Sequence, residues 1–331
     1  MPGVKMGYPD IRLRRFRRTA ALRDIVAMPP PGPEKFMWPV FLVEGSGRKE
    51  PIASMPGQFR YSADELVKAL GGVVGQGVRS VLLFGQLESG EKDECGTAAA
   101  DPGGAIQRAI PVLRKAYPDL AIFTDVCLCA YTSHGHCGPR DPSGGVDNDA
   151  ACEMLARVAV SHATAGADGV APSAMMDGQV AAIRAALDDE GFKDTVLLSY
   201  STKFASSMYG PFRDAENSAP GQGDRKGYQA DFRAPGLALM ESALDGQEGA
   251  DALMVKPALF YLDMISKLSA RTDLPVFAYN TSGEYSMVHA AAERGWCDLF
   301  ETARESLYAI FRAGAACAIS YWAPFYNRIF R

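Results

Sequence analysis

No run of this 331-residue chain approaches the roughly 20 consecutive apolar residues that a membrane-spanning helix needs. A basic stretch near the start is not followed by an apolar core, so the expected reading is not a secretory leader. Positive charge is not in excess either. The net charge of −5 sets the whole-molecule field against nucleic acid, and neither nucleic acid nor membrane is expected as a partner. No Gly-rich phosphate loop follows the first strand pattern, which argues against a dinucleotide fold. The seven cysteines are odd in number and three of them cluster. Reduced thiols in the cytoplasm fit that count better than a disulfide framework.

What is present falls into strand-then-helix units. Strand patterns occupy 39–44, 79–85, 120–126, 166–173, 196–201, 252–256, 274–280 and 315–322. Helical patterns lie between them at 62–70, 105–116, 149–165, 179–187, 236–245 and 303–312. Eight strands alternating with helices predict a (β/α)8 TIM barrel, with a doubly wound sheet as the other α/β solution. Residues 1–36 precede the repeat and carry Arg12-Leu13-Arg14-Arg15-Phe16-Arg17-Arg18, then Pro29-Pro30-Pro31-Gly32-Pro33. They are expected to form an extended N-terminal arm that packs on a neighbouring subunit, leaving 37–331 as the barrel domain.

The pattern is organised around Ala252-Leu253-Met254-Val255-Lys256-Pro257. A short apolar run bounded by breakers reads as a buried parallel strand, and Pro257 cannot extend it. Lys256 therefore stands at a strand end among apolar neighbours, where burial lowers the pKa of an amine and makes it nucleophilic. A lysine that snorkels to solvent is the alternative. The run from Thr195 to Lys203 repeats the design with a second lysine. Barrel active sites form at the C-terminal strand ends. Those ends here carry Asp125, Cys127, Cys129, Ser173, Lys203, Lys256, Tyr279 with Ser282, and Tyr321.

Two further stretches bear on chemistry. After the third strand, Cys127-Leu128-Cys129 and Cys137 offer three thiolates with an open fourth position, the pattern of a zinc site that holds water or substrate; buried thiols acting as small hydrophobes are the alternative. His134 and His136 lie in the same loop as further ligands or as hydrogen-bond partners. Between the fifth and sixth strands, 204–229 is rich in Gly and Pro and reads as a loop. Arg213 and Arg225 within it could clamp a carboxylate if it closes as a lid, and a solvated insertion is the other reading.

Taken together, Met254-Val255-Lys256-Pro257 with Tyr261-Leu262-Asp263, the segment ending in Lys203, Ala171-Pro172-Ser173-Ala174-Met175-Met176-Asp177-Gly178 and the cysteine loop resemble the porphobilinogen synthase (5-aminolaevulinate dehydratase) family, from about Met37 to Tyr321. The resemblance implies a hydro-lyase of haem and tetrapyrrole biosynthesis that joins two 5-aminolaevulinate molecules through two Schiff bases. It implies Lys256 as the essential lysine and Lys203 as its partner. Ser282 and Tyr321 would bind one substrate carboxylate, and Arg213, Arg225 and Gln229 the other. Asp125 and Ser173 would contact the amino group that survives in the product, while Tyr209, Phe212 and Tyr279 line the pocket. Zinc would sit on Cys127, Cys129 and Cys137. Glu241 is the position for an allosteric magnesium, although Met240 replaces the arginine that many members place beside it, and Ala174 replaces a usual acidic residue. A homo-oligomer, octameric or hexameric, is implied. Two other readings remain at this point: a class I aldolase-like lyase, which needs one lysine and no thiolate site, and a non-catalytic metal- or ligand-binding barrel.

Overall fold

A computed structural model of the chain describes residues 7, 11–218, 221 and 223–331. Its compact units are 1–31 and 32–331. The strands in chain order are β1 (Phe36–Leu42), β2 (Lys49–Pro51), β3 (Phe59–Tyr61), β4 (Ser80–Gly85), β5 (Ala121–Val126), β6 (Gly169–Pro172), β7 (Val196–Lys203), β8 (Ala252–Lys256), β9 (Val276–Asn280) and β10 (Cys317–Ser320). Eight of them, β1 and β4 to β10, pair in parallel with their neighbours, and β10 returns to β1 to close the ring. This is the TIM barrel that the repeat predicts.

The local chemistry explains the boundaries. All seven residues of β1 and all five of β8 are buried, as expected for strands covered on both faces. The strand expected at 166–173 starts only at Gly169. Gly166 has φ 101°, a left-handed turn that cannot begin an extended strand. Helices start on short polar side chains: Asp147 accepts from the Ala150 amide at 3.1 Å, and Asp298 accepts from those of Phe300 and Glu301.

One element of the larger unit has no counterpart in the sequence reading. β2 and β3 form an antiparallel pair, and β3 joins the C-terminal end of β1 at Phe41 and Leu42. Three-residue strands are too short for an alternating pattern to show.

The smaller unit differs from a simple extended arm. A 3-10 turn covers Leu13–Arg17, and a helix covers Ala20–Val26 with Thr19 as its cap. Leu13, Phe16, Ile25 and Val26 are exposed. Residues 1–6 and 8–10 of the expected arm lie outside the described residues. Among the described residues no helix is long and apolar enough to cross a membrane.

Candidate active site

β7 and β8 end side by side, and Lys203 is the register partner of Lys256. A strict alternation would point Tyr200 and Lys203 to opposite faces. The register shifts between Ser199 and Thr202, and this bulge turns both toward the barrel interior. Both lysines are buried, at 5% and 3% exposure. The Lys203 ammonium donates to the Ser173 carbonyl at the end of β6. The Lys256 ammonium stands in an aromatic box, 4.2 Å from the ring centre of Tyr279, 4.6 Å from Phe212, 5.1 Å from Tyr200 and 5.4 Å from Tyr209.

The electrostatics of this box favour a neutral amine. Burial first, and then the charge of Lys203, push the Lys256 amine down to about 7, with Asp125 pulling the other way. The rings attract a cation, but their attraction does not restore the ordinary value. Burial pushes Asp125 up to about 6, against the opposing charges of Lys203 and Lys256. The Tyr279 and Tyr321 hydroxyls are 3.1 Å apart beside the box. Tyr209 donates to the carbonyls of Phe204 at 2.7 Å and Lys256 at 3.2 Å.

The cysteine loop leaves the end of β5. Gly135, at φ 73°, turns it back so that Cys137 meets Cys127 and Cys129. All three are buried, their sulfurs lie within 4.8 Å of one another, and Cys127 and Cys129 are 3.4 Å apart. Hydrogen bonds from Cys127 and Cys129 hold the Cys137 thiol well below the ordinary range, aided by Arg225 and Lys203. The same crowding, with burial, pushes Cys127 well above it. One thiolate already favoured among three soft donors fits a metal of the zinc type. Among the described residues no other group of three ligand side chains is gathered this way. The two histidines serve the loop instead: His134 bonds the Glu94 carbonyl and His136 the Tyr228 hydroxyl.

The stretch 204–229 is not the irregular loop expected. Ser207–Tyr209 forms a 3-10 turn, and Gly210–Glu216 a helix that opens on Gly210-Pro211 and ends on Asn217 at φ 51°. Proline near a helix start and a left-handed Asn after its end are signals that the sequence carried. Residues 219, 220 and 222 of the stretch lie outside the described residues. The helix is tied to the β2–β3 pair through Arg60, which donates to the carbonyls of Asp214 at 2.7 Å and Ala215 at 2.6 Å. It places Phe212 over Lys256 and carries Arg213.

Arg213, Arg225 and Gln229 line a cavity of about 450 Å³ with Ser206, Phe260 and Tyr261. The Nε atoms of both arginines and both amide atoms of Gln229 are buried without a partner. Buried polar atoms left unpartnered in this way mark where water or a ligand binds. Arg225 also donates to the carbonyls of Gly135 and Ser218, which joins the cavity to the cysteine loop. Ser282 opens the helix Ser282–Glu293, and its hydroxyl donates to the Met208 carbonyl at 3.4 Å.

Two participants escaped sequence reasoning. Tyr200 needs the bulge to face the lysines. Glu284 closes a capping box with Thr281 and also accepts from the Leu259 amide at 2.5 Å, fastening the loop after Lys256 to the helix of Ser282. A Thr-x-x-Glu spacing at 281–284 is the signal that could have found it. Glu241 stands apart from the mouth. It lies on the helix Pro235–Gln247 and lines a cleft of about 990 Å³ with Asn148 and Asp177, which Gln229 and His136 also line.

A family described as Delta-aminolevulinic acid dehydratase matches residues 10–329. The chain belongs to this family. The delta-aminolevulinic acid dehydratase of Methanothermobacter thermautotrophicus is 50% identical over 321 residues, covering 96% of this chain and 97% of that one. That of Streptomyces coelicolor is 47% identical over 325 residues, covering 98% of each. A crystal structure of the Toxoplasma gondii ME49 delta-aminolevulinic acid dehydratase (porphobilinogen synthase), in complex with the reaction product porphobilinogen, matches with a TM-score of 0.93 at 42% identity, over 96% of this chain and 91% of that one. Membership of the dehydratase family supports the two-lysine reading over a one-lysine aldolase or a non-catalytic barrel.

Proposed function

We propose that this chain condenses two 5-aminolaevulinate molecules to porphobilinogen, with Lys203 and Lys256 each holding one of them as a Schiff base. The observation that carries the reading is the lysine pair: buried, in register on adjacent strands, at the C-terminal mouth of a barrel. Each amine adds to a substrate keto carbon and expels one water, two in all. When a carbon–carbon and a carbon–nitrogen bond join the substrates, the imines are replaced and both lysines leave as free amines.

The other residues orient and hold. Ser282 and Tyr321 take the carboxylate of the substrate on Lys256. Arg213, Arg225 and Gln229 take the second carboxylate, which accepts from the unpartnered arginine Nε atoms and the Gln229 Nε2. Asp125 and Ser173 face the amino group that survives in the product, and Tyr209, Phe212 and Tyr279 exclude water from the amine. Cys127, Cys129 and Cys137 would hold zinc, whose donor set they fit, and the ion when bound supplies a Lewis acid that polarises the second substrate and helps position its amine. Burial, Asp177 and Glu248 raise the Glu241 carboxyl, the setting of a site that gains from a cation. A magnesium there would be the allosteric ion that the family resemblance implies. The reduced thiols suit a cytoplasmic enzyme. The arm suits an oligomer, octameric or hexameric.

Incubation with 5-aminolaevulinate and detection of a pyrrole with Ehrlich reagent tests the activity. Colour should develop with the native chain and not with Lys256→Met. No colour from the native, zinc-supplemented chain would contradict the proposal.

A further inference from the structure

The three cysteines leave one position of a tetrahedral centre open, and the lid helix brings a carboxylate to its edge. Glu216 is the last residue of that helix and only 2% exposed. Its Oε2 lies 3.7 Å from the Cys129 sulfur. With metal–sulfur bonds of about 2.3 Å and metal–oxygen bonds of about 2.0–2.2 Å, two ligands of one tetrahedral zinc stand about 3.6 Å apart. The contact is a hydrogen bond from the Cys129 thiol to the Glu216 carboxylate, and its length matches the spacing of two donors to one ion.

Arg225 and Lys92 lie near enough to act on this carboxylate but do not pair with it directly. Among the described residues it takes part in no salt bridge. The nearby Lys92 donates to the Asn217 carbonyl at 2.6 Å, and Arg225 donates to Gly135 and Ser218. A buried carboxyl group needs a proton, a partner or a metal, and the metal-type cluster is what this one adjoins. We propose that Glu216 is a fourth ligand of the zinc, supplied by the lid, so that the ion is closed as a Cys3Glu centre until the substrate amine displaces the carboxylate. Glu216 stands on the Cys129 side, outside the 4.8 Å circle that the three sulfurs share, so ligation requires its side chain to turn inward.

The same helix carries Phe212 and Arg213. A bond from Glu216 to the ion therefore couples metal occupancy to closure of the lid over Lys256, and by linkage closure tightens the metal. The inference rests on the zinc reading of the three cysteines, and the test separates the two.

The experiment compares the full-length native chain with Glu216→Gln, without substrate, each metal-free and zinc-loaded. Zinc affinity is measured by competition with a chromophoric chelator, and amide hydrogen exchange of 207–218 by mass spectrometry. Zinc should slow exchange of this segment in the native protein. In Glu216→Gln that zinc-dependent slowing should vanish, and affinity should fall by about 10- to 100-fold, the range for a lost support of a metal site. A purely structural role would change exchange equally with and without zinc. Glu216→Ala repeats the comparison should the glutamine variant not fold. Equal affinity and equal zinc-dependent slowing in native and variant proteins would overturn the Glu216 ligand while leaving the cysteine site intact. Failure of the native chain to take up zinc would overturn both.

Discussion

The proposed chemistry turns on one amine. Lys256 attacks only when neutral, and its surroundings bring it from the ordinary 10.5 down to about 7. Below that pH the ammonium form dominates, so the reactive fraction shrinks as protons are added. The logarithm of kcat/KM should therefore rise with pH and level off above about 7, falling about tenfold per unit on the acid side. A profile flat from pH 5 to 8 would mean that some other step or group limits the rate. Lys256→Met supplies a flexible apolar chain of similar volume. It should leave the circular dichroism unchanged and remove turnover.

At the scale of elements, the approach of the lid to the barrel depends on Gly283. A Cβ there would lie 2.5 to 2.9 Å from the Met208 backbone, at the base of the lid. The neighbour is backbone and cannot rotate away, so Gly283→Ala should push out the segment that seats Tyr209 and Phe212. Overpacking of this kind costs about 1–3 kcal/mol, which corresponds to a fall in kcat/KM of about 5- to 150-fold. Steady-state kinetics should show the fall as a raised KM, with a melting temperature lowered by about 1–4 °C. Much of this arrangement was legible in the sequence. Short apolar strands closing at Lys256 and just past Asp125 announce both the barrel and its mouth, because burial on two faces leaves an apolar run. The β7 bulge left no such mark, and only the register with β8 shows why Tyr200 and Lys203 share a face. The helix Gly210–Glu216 was hidden because glycine, proline and asparagine read as loop residues, although here they stand at its ends.

The whole molecule divides its charge unevenly. Residues 1–31 carry seven basic and two acidic side chains, a net of +5, which leaves −10 on the rest. With Leu13, Phe16, Ile25 and Val26 exposed, such an arm suits the acidic surface of another copy. Deleting 1–31 should give smaller species by light scattering and weaker activity, with the circular dichroism of the barrel retained; an unchanged assembly would assign the arm another role. The barrel core is also large enough to stand without the metal. A chelator should thus abolish activity while the fold persists, and zinc with a reductant should restore the rate. An enzyme indifferent to chelators would leave the second substrate to Lys203 and Asp125 alone. The central claim, two Schiff-base lysines in one mouth, is tested most directly by borohydride reduction in the presence of 5-aminolaevulinate, followed by peptide mass spectrometry of the whole chain. The account predicts adducts on Lys256 first and Lys203 second. Adducts confined to a surface lysine such as Lys193, with Lys256 and Lys203 unmodified, would contradict it.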